Sequence, residues 1–302
     1  MMKAKGINSR VVVFAYSEVG YSCLSLLFNK GVNVIGVFTH KDDPAEEQWF
    51  RSVEALARKN NVPVYTPDRV EELEWLAVMR DELRPDIIFS FYYRYLIPMG
   101  ILGIASAGAY NMHGSLLPLY RGRAPVNWAV LNGEHKTGAT LHHMTEEADA
   151  GDVVDQQEVS IGPSDSAAVV MERVRNAAEL VLARQLEALL NGKASSVPQD
   201  HGRASVYGGR KPADGRINWN DSAVNIFNLI RAVTKPFPGA FSDEVNAGRR
   251  LLIWWAEPLP GQASPGEVIQ DDPMIIGTGD GCLKISEFQW GPLPSTAEET
   301  TA

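Results

Sequence analysis

The chain is predicted to be an α/β protein: a doubly wound, mostly parallel sheet of Rossmann-like character, with a smaller C-terminal β-barrel-like domain. Three observations predict this. Short β-branched runs alternate with helical spacings over the first ninety residues. A hydrophobic share of 45% against 22% charged residues gives enough apolar material for a packed core. The length of 302 residues accommodates two domains, expected over residues 1–200 and 201–302.

Each element follows from its local pattern. Val11 to Tyr16 is a β-branched run, as in a buried strand. Helical spacing follows from about Gly20 to Asn29, with Gly31 as its stop. Val32 to Thr39 is a second strand, Glu46 to Lys59 an amphipathic helix, Val62 to Tyr65 a short strand, Glu71 to Leu83 a helix, and Asp86 to Ser90 another buried strand. Ligands of such sheets bind beyond the carboxyl ends of the strands. Asn111 and His113 fall at such an end, after Gly108-Ala109-Tyr110. Ser164 to Asn191 is one long helical pattern, closed by Asn191-Gly192-Lys193.

Lys193 to Pro212 is polar, contains Gly and Pro, and is expected to cross towards the second domain. A helix at Ser222 to Val233 precedes short strand-like runs at Gly239 to Phe241, Arg250 to Trp255, Gly266 to Ile269, Met274 to Gly277 and Cys282 to Phe288. Their spacing is that of a small barrel or half-barrel. Pro294 to Ala302 is expected to fray.

Composition narrows the function. A net charge of −9 opposes a broad nucleic-acid footprint. Cys23 and Cys282 lie far apart and outside any C-x-x-C pair, which favours a reduced protein without disulfide or zinc. The N-terminus lacks a signal-peptide core, and no apolar run reaches bilayer length, so a soluble, cytoplasmic protein is expected. The G-x-G-x-x-G and P-loop fingerprints are both missing. His142 and His143 are adjacent rather than four apart, so no metal site is expected.

The stretch Asn111 to Pro125 contains the candidate chemistry. Asn111 and His113 alternate on one strand face, and a Gly- and Pro-rich loop with Arg121 and Arg123 follows. Downstream, Asp149 sits in Ala-Asp-Ala-Gly-Asp. An amide, an imidazole and a carboxylate suffice to stabilise an oxyanion and move a proton in acyl transfer. The carboxylate is expected to raise the His113 pKa and favour an imidazolium. From spacing alone a structural alternative stands beside catalysis: Asn111 and His113 cap a turn, and Asp149 begins a loop. The arginines suit an anionic ligand or a solvated turn. Ser115 is outside G-x-S-x-G and reads as a loop residue, not a nucleophile. The aromatic run Phe89 to Tyr95 suits core packing, or a flat heteroaromatic ligand at the strand end.

Asn111-x-His113, the loop Ser115-Leu116-Leu117-Pro118-x-x-Arg121-Gly122, and Asp149-x-Gly151 together resemble the 10-formyltetrahydrofolate-dependent formyltransferases. Within that family, Val13 to Tyr16, Phe38-Thr39-His40, Phe89 to Arg94, Arg121 to Pro125 and Pro236 to Phe241 resemble the members that formylate UDP-4-amino-4-deoxy-L-arabinose in polymyxin resistance and lipid A modification. There the activity forms one half of a bifunctional enzyme, and the resemblance spans about Val11 to Phe288. It implies that 10-formyltetrahydrofolate is the co-substrate. It makes His113 the proton donor and oxyanion partner, Asn111 the transition-state stabiliser, and Asp149 the group that tunes His113.

The resemblance further implies folate contacts at Tyr95, Leu96, Ile97, Arg123, Thr145, Glu146, Glu147, Ala148 and Asp149. Tyr95 departs from the His common in the closest relatives, and Thr145-Glu146-Glu147 is more acidic than their equivalent. The dehydrogenase half of the bifunctional enzymes is not expected within 302 residues.

Methionyl-tRNA formyltransferase shares the same core and is the alternative. A tRNA enzyme needs basic surface for phosphates, whereas the loop His40 to Glu47 is acidic overall. That loop and the net charge favour a nucleotide-sugar acceptor. Ser115, Arg121 and Arg210 are the candidate sugar-nucleotide contacts. A third reading, a non-catalytic folate-binding module, is opposed by the intact Asn/His/Asp set.

Overall fold

The computed structural model describes residues 9–41, 50–244 and 247–293. In chain order the elements of the first half are β1 (Val11–Ala15), α1 (Ser17–Asn29), β2 (Val34–Phe38), α2 (Val53–Lys59), β3 (Val64–Tyr65), α3 (Leu73–Ala77), β4 (Ile87–Phe91), α4 (Met99–Leu102), β5 (Ala109–His113), β6 (Arg121–Gly122), α5 (Pro125–Leu131) and β7 (Lys136–His143). Then come β8 (Val153–Ser160), α6 (Ala167–Leu190), β9 (Val206–Tyr207), α7 (Ala223–Val233), β10 (Ala240–Glu244), β11 (Arg249–Leu259), β12 (Val268–Asp271), β13 (Met274–Gly277) and β14 (Cys282–Pro292).

The chain forms two compact units. One comprises the described residues of Met1–Gly122, Gly138–Val159 and Arg173–Val206; the other comprises those of Arg123–Thr137, Ser160–Glu172 and Tyr207–Ala302. The chain therefore changes unit several times, where the sequence reading set one boundary near residue 200. Packing explains the difference. α5 lies on α7, Asn127 Nδ2 donates to the Ala232 carbonyl at 2.8 Å, and Arg231 Nη1 donates to the Asp165 carbonyl at 3.1 Å. These contacts attach two early segments to the later part of the chain.

In the first unit the strands run in the order β3-β2-β1-β4-β5-β7-β8. The first five are mutually parallel, and β7 is antiparallel to β5. β1 is buried along its whole length, as its unbroken apolar run requires. Phe14 and Phe38 stack at 4.6 Å between centroids within a core that includes Val12, Ile88 and Met79. α2 begins where Ser52 accepts a hydrogen bond from Ala55 N; residues 46–49 of the expected helix lie outside the described residues. The helix expected over Glu71 to Leu83 starts at Leu73 and widens into a π-type segment at Val78–Leu83, ending at Arg84 with φ 45°.

β7 and β8 flank Asp149 and were not anticipated as strands. β7 reads Lys-Thr-Gly-Ala-Thr-Leu-His-His, yet it is buried from Thr137 to His142 because both its neighbours are strands. A Cβ at Gly138 would collide with the Gln157 carbonyl.

The second unit contains a five-stranded antiparallel sheet in the order β10-β11-β14-β13-β12. Each strand overlaps an expected run, and the longest pair, β11 with β14, extends further than alternation indicated. α7 packs on this sheet, and its N-cap Ser222 accepts from Asn225 N. Residues 294–302, expected to fray, lie outside the described residues. Among the described residues no helix is long and apolar enough to cross a membrane.

Candidate active site

β5 delivers Asn111 and His113 to one face because strand residues alternate. Pairing with β7 sets Asn111 opposite His142 and His113 opposite Thr140. Side chains of directly opposed residues meet, and Asn111 Nδ2 accordingly donates to His142 Nε2 at 3.1 Å. His142 Nδ1 bonds the His143 carbonyl at 2.8 Å, which assigns the hydrogen to Nδ1 and leaves Nε2 to accept.

Asp149 enters from the β7–β8 connection with φ 55°, a left-handed conformation that Asp tolerates better than most residues. Its Oδ2 accepts from Gly122 N at 2.8 Å. Its Oδ1 accepts from Asn111 Nδ2 at 3.3 Å and lies 3.4 Å from both His113 Nδ1 and His142 Nε2. One carboxylate oxygen thus faces an amide and two imidazoles. Gly151 permits the turn: a Cβ there would strike the His143 carbonyl.

The ionisation of the cluster corrects one expectation. His113 is only 6% exposed, and burial lowers its pKa despite the opposing pull of Asp149 and the Tyr120 carbonyl. The expected rise towards imidazolium does not occur, because desolvation outweighs one carboxylate at 3.4 Å. His113 Nε2 lies 2.8 Å from the Tyr120 carbonyl and so carries the hydrogen, which makes Nδ1 the basic nitrogen. Burial alone would raise the Asp149 carboxyl. The His113 imidazole, once it is protonated in acid, the contact with His142 and the Gly122 N–H outweigh it, holding the group well below the usual carboxylate range.

A clamp behind the cluster was missed by sequence reasoning. Gln199 Nε2 donates to the Asp149 carbonyl at 2.8 Å and to the Gly151 carbonyl at 2.7 Å. Its Oε1 accepts from Arg121 Nη2 at 2.8 Å. Ser205 receives Tyr120 N on its hydroxyl at 2.9 Å and Arg121 N on its carbonyl at 2.8 Å. These residues lie in the polar stretch read as a crossing, where no periodicity marks them. His142 was weighed only as a metal ligand; its position opposite Asn111 was hidden until β7 was known.

Two proposed sugar-nucleotide contacts are reassigned. Arg121 is 3% exposed and its guanidinium bonds Gln199, His201 Nδ1 and Glu147, so it holds the loop instead of offering a free fork. Ser115 is buried, and its hydroxyl donates to the Leu119 carbonyl at 2.6 Å. Of the expected folate positions in the first unit, Tyr95 is 50% exposed, Leu96 74%, and Thr145 to Ala148 are exposed, whereas Ile97 is half-buried against the core and the Asp149 side chain is 11% exposed. Arg123 and Arg210 lie in the second unit, where Arg210 covers the Trp128 ring at 4.7 Å. Among the described residues no group of three or more His, Cys, Asp and Glu side chains is arranged to hold a metal ion.

Residues 10–186 match the formyl transferase family model, and residues 210–301 match the model of the formyl transferase C-terminal domain. Among solved structures, the chain is similar to the N-formyltransferase from Helicobacter canadensis, studied with folinic acid and dTDP-3-aminofucose. The match has a TM-score of 0.72 and 19% identity, over 92% of this chain and 99% of that one. WlaRD, a sugar 3N-formyl transferase, matches at TM-score 0.72 and 20% identity over 93% and 97% of the two chains. HypX from Aquifex aeolicus, in complex with tetrahydrofolic acid, matches at 0.65 and 20% over 93% of this chain and 44% of its own.

Proposed function

Because this chain belongs to the formyl transferase family, we propose that it transfers a formyl group from 10-formyltetrahydrofolate to the 4-amine of a nucleotide-linked amino sugar, UDP-4-amino-4-deoxy-L-arabinose in particular. The observation that carries the reading is the convergence of Asn111, His113 and His142 on Asp149 Oδ1. The similar N-formyltransferase solved with folinic acid and dTDP-3-aminofucose supports a nucleotide-sugar amine as acceptor. The UDP-arabinose choice is supported by the motif resemblance alone.

In this reading the sugar amine attacks the formyl carbon, giving a tetrahedral oxyanion. The Asn111 amide donates to that oxyanion, exchanging its longer bond to Asp149 for it. His113 is neutral before reaction and takes the amine proton on Nδ1; Asp149 then stabilises the imidazolium that forms. Collapse expels the folate nitrogen, which regains a proton. The general-acid role first expected of His113 belongs to this second half. In this scheme the segments Tyr95 to Ile97 and Thr145 to Ala148 of the first unit receive the folate. Cys23 and Cys282 are both free, which suits a reducing cytoplasm.

Side-by-side assays with UDP-4-amino-4-deoxy-L-arabinose, dTDP-4-amino sugars and methionyl-tRNA test the acceptor. The UDP sugar is expected to have the highest kcat/KM, and preferential turnover of either other substrate would overturn the choice.

A further inference from the structure

His40 follows β2 and belongs to no part of the Asn111–Asp149 cluster, yet its ring is held by three aromatic neighbours at the carboxyl ends of β1, β2 and β4. Its imidazole stacks on Tyr93 at 4.4 Å, and meets Tyr95 edge-on at 4.8 Å and Tyr16 edge-on at 5.0 Å. Its Nε2 lies 3.1 Å from the backbone N of Arg94. A backbone N–H only donates, so Nε2 is the acceptor and the ring hydrogen sits on Nδ1. Burial, and secondarily the Arg94 guanidinium, lower the His40 pKa to about 4, so the acceptor persists at neutral pH.

These contacts converge on one short segment. Tyr92 leaves β4 with φ 59°, Tyr93 packs inward against Phe14 at 5.2 Å, and Arg94 to Leu96 are exposed. Left to itself, an exposed segment of this kind samples many conformations. One ring contacting residues 93, 94 and 95 in succession restricts it to a single course. Ring contacts fix the side chains, and the Arg94 N–H bond fixes the backbone between them.

We propose that His40 is a positioning residue that holds the segment Tyr93 to Ile97 in the form that receives the folate co-substrate. The proposal rests on the formyl-transfer reading above, in which that segment contacts the folate. His40 bonds none of Asn111, His113 and Asp149, so its contribution is expected in folate affinity and not in the chemical step. Ordering a binding segment in advance removes an entropic cost from association.

The test uses the full chain and three variants. His40→Ala removes ring and acceptor, His40→Phe keeps a ring without an acceptor, and His40→Gln restores an acceptor. Binding of 5-formyltetrahydrofolate is measured by calorimetry, steady-state constants with 10-formyltetrahydrofolate, and hydrogen exchange over residues 92–97. His40→Ala is expected to weaken folate binding and raise folate KM by about five- to tenfold, the scale of one lost hydrogen bond. Its kcat and sugar-nucleotide KM are expected to stay within about twofold of wild type. The Arg94 amide is expected to exchange faster in His40→Ala and His40→Phe and to be protected again in His40→Gln.

Unchanged folate affinity in a folded His40→Ala variant overturns the proposal, as does a loss confined to kcat. If the wild-type chain binds no folate, the formyl-transfer reading fails instead. In that case unchanged Arg94 exchange in His40→Ala would separately remove the positioning role.

Discussion

The Gln199 side-chain amide and the Asp149 carbonyl are joined by a 2.8 Å hydrogen bond that spans fifty residues of chain. The same amide nitrogen reaches Gly151 O, and the amide oxygen holds Arg121. One neutral side chain therefore links the loop bearing the carboxylate to the loop whose Gly122 N–H binds that carboxylate.

Gln199→Ala is expected to leave two carbonyls and a buried guanidinium short of partners, costing about 1–3 kcal/mol. Gln199→Glu keeps the acceptor for Arg121 but loses the donor to Asp149. Comparing urea midpoints and turnover in both variants separates the two halves of the clamp. If neither variant alters either quantity, the clamp has no energetic role.

Removal of His113 or Asp149 is expected to lower formyl transfer by at least about 100-fold, the scale of a positioned acid–base group. Asp149→Asn retains the shape but not the charge that steadies the imidazolium. Single-turnover rates, with circular dichroism to confirm folding, measure this. A folded His113→Ala protein turning over like wild type removes His113 from the mechanism.

Stability is expected to fall on acidification. His40, His113 and His143 all have folded pKa values below the ordinary histidine value. Below about pH 6.5 the unfolded chain then binds more protons than the folded one, so their contribution is complete above that pH and is lost as pH falls. The part due to His40 is gone near pH 4. Asp149, also depressed, adds a further loss below its unfolded value of about 3.9. Urea midpoints should therefore hold level from pH 8 to about pH 6.5 and decline from there to pH 5, and no decline below about pH 6.5 would contradict the burial argument. Turnover should decline over the same interval, because both the attacking amine and His113 must be unprotonated.

Gly151→Ala places a methyl group against the His143 carbonyl. Backbone must move on one side, and overpacking of this kind costs about 1–3 kcal/mol or more. A thermal melt indistinguishable from wild type would show that the β7–β8 turn yields without cost.

The parallel half of the fold was legible because its strands are apolar on both faces: the runs at Val11, Val34 and Ile87 have no other comfortable conformation. Asn111 and His113 were legible for the same reason, since a strand end and a two-residue spacing fix their common face. β7 was not, because its burial comes from β5 and β8 and not from its own composition. His142 was lost with it. The His113 charge state was misread because a carboxylate is visible in sequence, whereas the depth of burial opposing it is not. Gln199 and Ser205 act through single polar contacts in irregular backbone, which leave no periodic trace.

Those last contacts tie the reaction centre to chain beyond residue 200. A version ending at residue 200 would retain the amide, the imidazole and the carboxylate, and even the glutamine behind them. It would lack Ser205, which fastens the backbone of Tyr120 and Arg121 through its hydroxyl and carbonyl. The Tyr120 carbonyl is what assigns the hydrogen of the neighbouring imidazole. Losing Ser205 should accordingly disturb a tautomer some ninety positions upstream.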